Sequence, residues 1–321
     1  MNVEGAGDAA RAYVLGRVSA DLYPQQLNTP LEEVRTFERF VGGFAGNVST
    51  GLARLGVPTA IVSAVGDDGH GRFVRSFLDS EGVDTRALRV HPTLRTALAF
   101  CEAWPPDHFP ITFYRTPTCP DWELTVEDLP REMDRAWLMY VSGTGLAREP
   151  SRSATLAALA RRLSGTTIFD LDWREMLWPD AGEYAPLVRR ASGHANVLLG
   201  GAAEFAAAGL EPRDALALGP DLVVVKRGGE GALVIDRDGE RGVARLDVPV
   251  VNGLGAGDAF AAAFGAALIA GQGGAGSARR ANAAGAIVAA RLSCSTAMPT
   301  TAEIDALLAG GRVLDGQVLA G

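Results

Sequence analysis

The chain has 321 residues, 47% of them hydrophobic, which is enough to bury a substantial core in one large α/β domain or two smaller ones. Lys and Arg number 30 against 38 Asp and Glu, and the net charge of -8 argues against a general nucleic-acid or membrane-surface binder. An anionic small substrate is still compatible with this charge, because a local pocket can be basic on an acidic protein.

The first half of the chain predicts strands that alternate with helices, followed by a hairpin around the turn Pro105-Pro106. Short apolar runs predict the strands, and runs closed by glycine predict the helices. The predicted strands are 12–16, 58–65, 97–103 and 111–114, and the predicted helices are 48–55 and 71–80.

The second half alternates more regularly, which is typical of a parallel sheet covered by helices on both faces. Two segments, approximately 20–41 and 95–118, do not fit this alternation and are expected to form a small β lid inserted in a single domain of residues 1–321. The predicted strands are 136–142, 166–171, 195–199 and 221–226, with a second hairpin of 231–236 and 243–248; the predicted helices are 151–163, 256–271 and 276–291.

Ligands of such sheets bind beyond the carboxyl ends of the strands. The loops that follow the predicted strands are therefore the expected walls of one pocket: 16–21, 66–69, 142–145, 170–174 and 200–204.

Apolar segments, cysteines and histidines indicate the cellular compartment and whether a metal site is present. Residues 1–10 lack the apolar core of a signal peptide, and the apolar run 259–270 is too short to span a bilayer. Three scattered cysteines without metal-ligand spacing indicate a reduced, cytoplasmic compartment: Cys101, Cys119 and Cys294. The four histidines also lack such spacing and are interpreted as structural or surface residues: His70, His91, His108 and His194.

The segment Asn252-Gly253-Leu254-Gly255-Ala256-Gly257-Asp258 is the most informative part of the chain. Its glycines precede an alanine-rich helix, where free N–H groups and the helix dipole favour an anion such as phosphate. A carboxylate beside a phosphate cradle suggests phosphoryl transfer to a hydroxyl. The alternative is a glycine cluster that serves only a tight turn, which is common in α/β proteins.

Two motifs, in this order and at this separation, resemble the ribokinase-like (PfkB) carbohydrate kinases over nearly the full length. The first is Gly42-Gly43 with Asn47, followed by Gly66-Asp67-Asp68-Gly69-His70-Gly71, and the second is Gly255-Ala256-Gly257-Asp258. The resemblance implies a ribokinase-like α/β fold with a mostly parallel central sheet, helices on both faces and a β lid. It also implies ATP as donor, Mg²⁺, a sugar-acid acceptor and a homodimer formed through the lids.

Further segments resemble the family members of inositol breakdown, whose acceptor is the primary hydroxyl of 5-dehydro-2-deoxygluconate. Many family members have Asp-Thr where this chain has Asn252-Gly253. The segments are 16–23, 113–115, 169–174 with Leu177-Trp178, 252–255, 281–288 and 298–300.

The resemblance assigns the chemistry to Asp258 as the base that takes the acceptor's proton, with the amides of Gly255, Ala256 and Gly257 stabilising the transferred phosphoryl group. Asp21 matches the acceptor-binding aspartate, although it could be a surface loop acid. Acceptor contacts are also implied for Gly42, Gly43 and Asn47, of which Asn47 could instead cap the following helix.

Three arginines are candidates for gripping the acid group, because a guanidinium matches a carboxylate: Arg174, Arg115 and, more weakly, Arg17. Each could instead be an ordinary salt-bridge partner. Asp170 and Asp172 could form a carboxylate metal pair or, as we expect, order Arg174 and its loop.

The nucleotide side is assigned by resemblance to Lys226, Gly228, Gly231, Asn282 and Gly285, although Lys226 could be a solvated strand end. Glu204 resembles the glutamate that organises Mg²⁺ through water, but Gly201 stands where the family usually has asparagine. Oxygens around Asn252 and residues 293–295 are candidates for a monovalent cation such as K⁺, as in some relatives.

Three rival functions remain open. Within the family, the chain could be a 2-keto-3-deoxygluconate kinase or a fructokinase. A dinucleotide oxidoreductase needs phosphate-binding glycines directly after the first strand, whereas Gly5-Ala6-Gly7 precedes it. A catalytically silent sugar-binding protein on the same scaffold is disfavoured by the retained Asp258.

Overall fold

A computed structural model of the chain describes residues 12–314 and 316–319. The segment Gly5-Ala6-Gly7 and the expected absence of a signal peptide in residues 1–10 fall outside these residues. Within them, none of the helices is both long and apolar enough to cross a bilayer.

Apolar, β-branched runs form most of the strands, and the buried ones are apolar on both faces as expected for a covered parallel sheet. In the described residues the strands are β1 (Ala12–Leu15), β2 (Ser19–Pro24), β3 (Phe37–Gly42), β4 (Thr59–Gly66), β5 (Leu88–His91), β6 (Leu98–Cys101), β7 (Ile111–Tyr114), β8 (Leu138–Ser142), β9 (Thr166–Asp170), β10 (Val197–Gly201), β11 (Leu222–Lys226), β12 (Ala232–Asp236), β13 (Gly239–Val243), β14 (Arg312–Leu314) and β15 (Gln317–Leu319).

Nine of these strands form the central sheet, in the order β13-β12-β11-β10-β9-β8-β1-β4-β5. Every pairing from β11 to β5 is parallel, and only β12 and β13 are antiparallel. The predicted mostly parallel sheet is therefore confirmed, and the carboxyl ends of β1, β8, β9, β10 and β11 lie along one edge.

Helices cover both faces of the sheet, as predicted. One core contains side chains of α1, α2, α6, α7 and α8, and the other contains side chains of α3, α4 and α5. The helices are α1 (Phe44–Arg54), α2 (Gly69–Ser80), α3 (Ser151–Ala160), α4 (Tyr184–Ser192), α5 (Ala202–Ala207), α6 (Ala256–Ile269), α7 (Gly273–Ala289) and α8 (Thr301–Leu308).

The segments predicted as a lid form a separate four-stranded sheet in the order β3-β2-β6-β7. β6 and β7 pair antiparallel around Pro105-Pro106, as the hairpin prediction required. The motif at 66–71 is hydrogen-bonded to Thr96, just before lid strand β6. The Asp68 carboxylate accepts hydrogen bonds from the amides of His70, Gly71 and Thr96 at 2.8–2.9 Å. Asp68 therefore both caps α2 and anchors the start of the hairpin.

The second predicted hairpin was wrong in its return strand, which is Gly239–Val243 and not 243–248. The Asp236 side chain accepts hydrogen bonds from the amides of Asp238 and Gly239, and this tight turn reverses the chain at once. The alternating residues that follow are consequently free to line a cavity beside α7.

Candidate active site

Asp21 lies on lid strand β2, where its side chain is 9% exposed, so it is not a surface acid. Its Oδ1 accepts a hydrogen bond from Ser19 Oγ at 2.6 Å. A Cβ at Gly42, the residue that ends β3, would lie 1.8 Å from Asp21 Oδ2. Gly42 is therefore required because the carboxylate rests directly on its backbone.

Asn47 joins the first quarter of the chain to the late glycine motif. Its Nδ2 donates a 2.7 Å hydrogen bond to Asp258 Oδ2, while its Oδ1 is buried without a partner among the described residues. Asn47 does not cap α1, because the helix already begins at Phe44 with Gly43 as N-cap at φ 80°. The buried, unused Oδ1 next to Asp258 is suited to receiving a hydroxyl hydrogen.

The glycine motif turns directly into α6. Gly255 is the N-cap in the left-handed region, at φ 83°, and the first helical hydrogen bond runs from the Ala259 amide to the Gly255 carbonyl. In the described structure the amides of Gly255 and Gly257 donate to no backbone carbonyl, and that of Ala256 makes only a 3.4 Å bond to Gly253. The loop thus presents free N–H groups at the positive end of a 14-residue helix.

Asp172 holds two of the predicted arginines. Its Oδ1 lies 3.3 Å from a terminal nitrogen of both Arg17 and Arg174, and its Oδ2 accepts a 2.8 Å hydrogen bond from Thr144 Oγ1. Burial alone would raise the pKa of Asp172, but the two guanidiniums bring it to about 2. Asp172 therefore orders Arg174, as expected, and also holds Arg17, whereas Asp170 pairs with Lys226 and not with Arg174. Thr144 lies in the predicted wall loop 142–145, although the sequence interpretation did not single it out.

The three arginines differ in accessibility. The side chain of Arg174 is 36% exposed, whereas Arg17 is 9% and Arg115 is 2% exposed. Arg115 forms a buried ion pair with Asp121, whose Oδ2 also accepts the Val18 amide at 2.8 Å. Arg174 therefore has the most exposed side chain of the three, with its head group also paired with Glu204 at 3.5 Å and donating to the Trp173 carbonyl at 2.8 Å. Arg115 is the salt-bridge partner of a residue that the sequence interpretation did not single out.

Lys226 is not a solvated strand end, because its side chain is 19% exposed and its Nζ lies 3.1 Å from Asp170 and 3.7 Å from Glu204. Burial raises the pKa of Asp170, and the ammonium of Lys226 opposes that rise. Glu204 is fixed by the start of α5, where its Oε2 accepts the Gly201 amide at 2.5 Å. The carboxyl ends of β9, β10 and β11 therefore meet in a compact cluster of paired charges.

The residues predicted for the nucleotide lie together. A cavity of about 410 Å³ opens between the β12–β13 side of the sheet and α7, and a Cβ at Gly257 would lie 3.8 Å from Lys226 Nζ at its inner end. Asn282 donates hydrogen bonds to the carbonyls of Val243 and Ala244, fixing the outer wall. All five predicted nucleotide residues line the cavity: Lys226, Gly228, Gly231, Asn282 and Gly285.

Magnesium fits the site through a single carboxylate and not through a protein cage. Among the described residues no cluster of three or more His, Cys, Asp or Glu side chains is arranged to hold a metal ion. Glu204 is the carboxylate predicted for Mg²⁺, an ion that takes one or two carboxylates completed by phosphate oxygens and water; its Oε1 lies 3.5 Å from Arg174 and its Oε2 lies 3.7 Å from Lys226.

Burial raises the pKa of both carboxyls that face the acceptor side. Asp21 has a pKa of about 6 because it is desolvated, with Ser19 and Arg17 partly offsetting the effect. The pKa of Asp258 is raised by burial and by the nearby charge of Asp172, while Arg17 and Asn47 oppose the rise. A carboxyl with a raised pKa takes a proton more readily than an ordinary one.

Comparison with known proteins agrees with this geometry. The model of the family described as pfkB family carbohydrate kinase matches residues 9–301. The chain belongs to the pfkB family of carbohydrate kinases. The predicted family resemblance is thereby confirmed, and with it a phosphotransferase that acts on a sugar hydroxyl.

Relatives and solved structures of the family match over nearly the whole chain. A protein of Halalkalibacterium halodurans named 5-dehydro-2-deoxygluconokinase is 35% identical, covering 92% of this chain and 93% of its own. Aminoimidazole riboside kinase of Salmonella enterica, complexed with aminoimidazole riboside and an ATP analogue, is 28% identical with a TM-score of 0.80, over 92% of this chain and 99% of that one. A fructokinase variant of Vibrio cholerae with fructose, ADP and potassium bound is 29% identical with a TM-score of 0.83, over 94% and 99%. The ribokinase-like fold is confirmed by these pfkB structures.

Proposed function

We propose that this pfkB kinase transfers the γ-phosphoryl group of ATP to the primary hydroxyl of 5-dehydro-2-deoxygluconate, a sugar acid of inositol catabolism. The observation that carries the proposal is the 2.7 Å hydrogen bond between Asn47 and Asp258. This bond links helix α1 on the acceptor side to the glycine-rich residues 253–257, which we call the phosphate loop. The name of the Halalkalibacterium halodurans relative supports the choice of acceptor.

The acceptor binds between the lid and the carboxyl ends of the sheet. Asp21 accepts hydrogen bonds from its hydroxyls, and the backbones of Gly42 and Gly43 allow the sugar to approach closely. Asn47 Oδ1 orients the reacting hydroxyl beside Asp258. This arrangement uses the one buried acceptor atom of Asn47 that lacks a partner in the described residues.

Asp258 removes the proton as the hydroxyl oxygen bonds to the γ-phosphorus and the bond to the bridging oxygen of ADP breaks. The amides of Gly255, Ala256 and Gly257 stabilise the charge on the γ-phosphoryl oxygens during transfer. The proton ends on the Asp258 carboxylate, and phosphorylated acid and ADP leave.

The nucleotide occupies the 410 Å³ cavity, with its phosphates toward Lys226 and the start of α6. Gly228 and Gly231, both at positive φ, shape the turn that covers the phosphates, while Asn282 and Gly285 of α7 face the base. Glu204 would hold Mg²⁺ through water, and the ion would neutralise phosphate charge when bound. The potassium-bound fructokinase supports a monovalent cation near Asn252 and Ser295, whose buried hydroxyl has no hydrogen-bond partner in the described part of the chain.

Arg174 recognises the carboxylate of the acceptor, and Arg17, which shares Asp172 with it, adds positive potential behind it, whereas the charge of Arg115 is balanced by Asp121. A kinase for neutral sugars has no need of this charge. The acid group therefore separates the proposed acceptor from fructose, while 2-keto-3-deoxygluconate tests the finer discrimination between acids.

We expect the Arg174→Met substitution to lower kcat/KM for the acid acceptor roughly 10- to 100-fold, the range for one lost hydrogen bond to a charged group. Turnover of a neutral sugar, however slow, is expected to stay unchanged. Steady-state kinetics with both acceptors measure this ratio, and Arg152→Met, which removes an arginine paired with Glu183 at 2.6 Å, is the matched control. Equal losses for both acceptors would contradict the assignment.

The acid limb of the pH profile is expected near pH 6 and not near pH 4. The carboxylates of Asp21 and Asp258 must be ionised to act; burial raises the pKa of Asp21 to about 6, so kcat/KM falls as pH drops through about 6, and burial also raises the pKa of Asp258. Initial rates between pH 5 and 8 measure the midpoint. In the Asp21→Asn variant the fall of kcat/KM at low pH depends on Asp258 alone. A profile identical to that of the wild type would show that ionisation of Asp21 does not control the acid limb.

An assay of ADP release with ATP and a panel of acceptors tests the function itself. The expected result is the highest kcat/KM for 5-dehydro-2-deoxygluconate, a lower value for 2-keto-3-deoxygluconate and the lowest for fructose. Equal turnover of fructose and the deoxy acid would defeat the assignment, and binding without turnover would indicate a silent sugar-binding protein.

The resemblance also predicts a homodimer formed through the lids. Three aromatic residues that pack edge to face on the lid support this: Phe37, Phe100 and Tyr114. Tyr114 is 58% exposed, which leaves apolar surface available for a second copy.

A further inference from the structure

The tip of the lid hairpin rests on the phosphate loop at a point outside the residues assigned so far. A Cβ at Gly253 would lie 3.0 Å from both Cδ2 and Cε2 of the Phe109 ring. Phe109 belongs to the connection between β6 and β7, whereas Gly253 lines the nucleotide cavity. One aromatic ring thus bridges the acceptor lid and the loop that faces the nucleotide.

The next residues of the loop continue this contact. Leu254 packs against the buried cluster of Tyr23, Phe40, Cys101 and Cys294, which also includes Ile111 at the start of β7. A Cβ at Gly255 would lie 2.8 Å from Cys294 Cβ, and the Cys294 thiol donates to the carbonyl of Val41 in lid strand β3 at 3.1 Å. Gly253 and Leu254 therefore contact the lid directly, and Gly255 contacts Cys294, which is hydrogen-bonded to lid strand β3.

Phe109 is presented by an ordered hairpin. The backbones of Trp104 and His108 exchange hydrogen bonds at 3.0 and 3.1 Å, and the Glu102 amide donates to the Pro110 carbonyl at 2.9 Å. These bonds fix the chain on both sides of the ring, so the position of the ring follows the position of the lid.

Glycine at 253 is explained by the ring and not by the backbone. Gly253 is absent from the residues with positive φ in the described structure, so its conformation is open to other amino acids. The space above its Cα is occupied by the two ring carbons, and at contacts of 3.0 Å a methyl group fits only if the ring gives way by a few tenths of an ångström. Gly253 and Phe109 therefore form a matched pair.

We propose that Phe109 is a positioning residue that couples the lid to the phosphate loop, so that acceptor held by the lid favours the loop conformation with free amides. The inference rests on the proposed kinase function and adds a consequence to it. Acceptor and nucleotide bind cooperatively, and the cooperativity depends on the Phe109–Gly253 contact, because each ligand stabilises one side of it.

Calorimetry on the full chain measures the coupling directly. The affinity for adenylyl imidodiphosphate, a non-hydrolysable ATP analogue, is compared with and without saturating 5-dehydro-2-deoxygluconate. We expect the acceptor to tighten binding of the analogue by about 5-fold or more in the wild type, within the usual range of allosteric coupling. In Phe109→Ala this factor falls close to 1, while each ligand alone binds with unchanged affinity.

Kinetics supply a second readout with a matched control. Phe109→Ala lowers kcat about 10-fold, less than the hundredfold that a misplacement of 1 Å can cost, and raises KM for the acceptor at saturating ATP by about the coupling factor that it loses, because coupling between two ligands is reciprocal. His108→Ala, which removes the exposed neighbouring side chain of the same tip, is expected to match the wild type in kcat and in coupling.

The reverse substitution tests the contact from the other side. The methyl group of Gly253→Ala presses on the ring, which must shift by a few tenths of an ångström, so we expect kcat and the coupling factor to fall in the same direction as in Phe109→Ala. In the double variant the methyl group has space, and its kcat is expected to equal that of Phe109→Ala alone, because both changes break the same contact. Strictly multiplicative losses would show that the two residues act independently.

The outcomes separate the two levels of the proposal. Failure of the wild type to phosphorylate the acid acceptor would overturn the proposed function whatever Phe109 does. An active wild type that binds its two ligands independently, or a Phe109→Ala variant indistinguishable from His108→Ala, would overturn the coupling role and leave the kinase function intact.

Discussion

The Asp258→Asn variant is expected to lose roughly 10³-fold in kcat, within the range for general acid–base catalysis, with little change in KM for the acceptor. An amide cannot take the proton of the attacking hydroxyl. Its oxygen can still accept the hydrogen bond that Asn47 Nδ2 donates to Asp258 at 2.7 Å, so the local geometry is retained. ADP release under saturating ATP and acceptor measures the loss.

The control for this variant is Asp305→Asn on α8, where an exposed aspartate pairs with Arg280 at 2.6 Å. Its kcat is expected to be that of the wild type, because surface substitutions of this kind change stability by no more than about 0.5 kcal/mol. Unchanged turnover in Asp258→Asn would remove Asp258 as the base, even if the chain proves to be a kinase.

The regular part of the fold follows from local sequence patterns. Buried parallel strands are short continuous apolar runs, and β9, β10 and β11 were predicted within about two residues on that basis. Because the carboxyl ends of parallel strands share one edge, the sequence predicts Asp170 and Glu204 in the wall of one pocket, whereas Lys226 is assigned to the nucleotide only by resemblance. Such inferences succeed because they depend on backbone geometry alone.

The charge pairing inside the site could not be predicted in the same way. The sequence favours Arg174 and Arg115 over Arg17 as candidates for the acid group, but it does not reveal their partners: Asp172 lies 155 residues from Arg17. The ion pair of Arg115 with Asp121 depends on how the lid meets the sheet. Packing decides which of the three arginine side chains is the most exposed, and no local sequence pattern predicts it.

The contacts between the lid and the phosphate loop could not be predicted from the sequence either, because they join segments that are far apart along the chain. The sequence identified Asn252-Gly253 as unusual for the family but gave no cause, because the ring of Phe109 comes from a hairpin about 140 residues earlier. A glycine with ordinary φ is informative only when the atoms above its Cα are known. The structure shows that Gly253 contacts Phe109, and substitutions at either residue test this contact.

The second large effect is expected from Gly255→Ala. Gly255 has φ 83°, and an added Cβ would lie 2.8 Å from Cys294 Cβ and 3.1 Å from its Cα. The left-handed conformation costs a residue with a Cβ about 1–2 kcal/mol, and the clash displaces the loop that presents the amides. Because one well-aimed donor is worth roughly 10²–10³ in kcat, we expect a loss of at least 100-fold.

Gly271→Ala separates strain from catalysis, because Gly271 follows the other end of the same helix at φ 81° with nothing within 4 Å of an added Cβ. Both variants are expected to lose free energy of unfolding in urea, by about 1–2 kcal/mol from the backbone term they share. Only Gly255→Ala should lose turnover, since only its backbone sets the direction of the free amides. If both variants kept the wild-type kcat, the amides before α6 would not stabilise the transferred phosphoryl group, and the loop would be the tight turn that its glycines alone also allow.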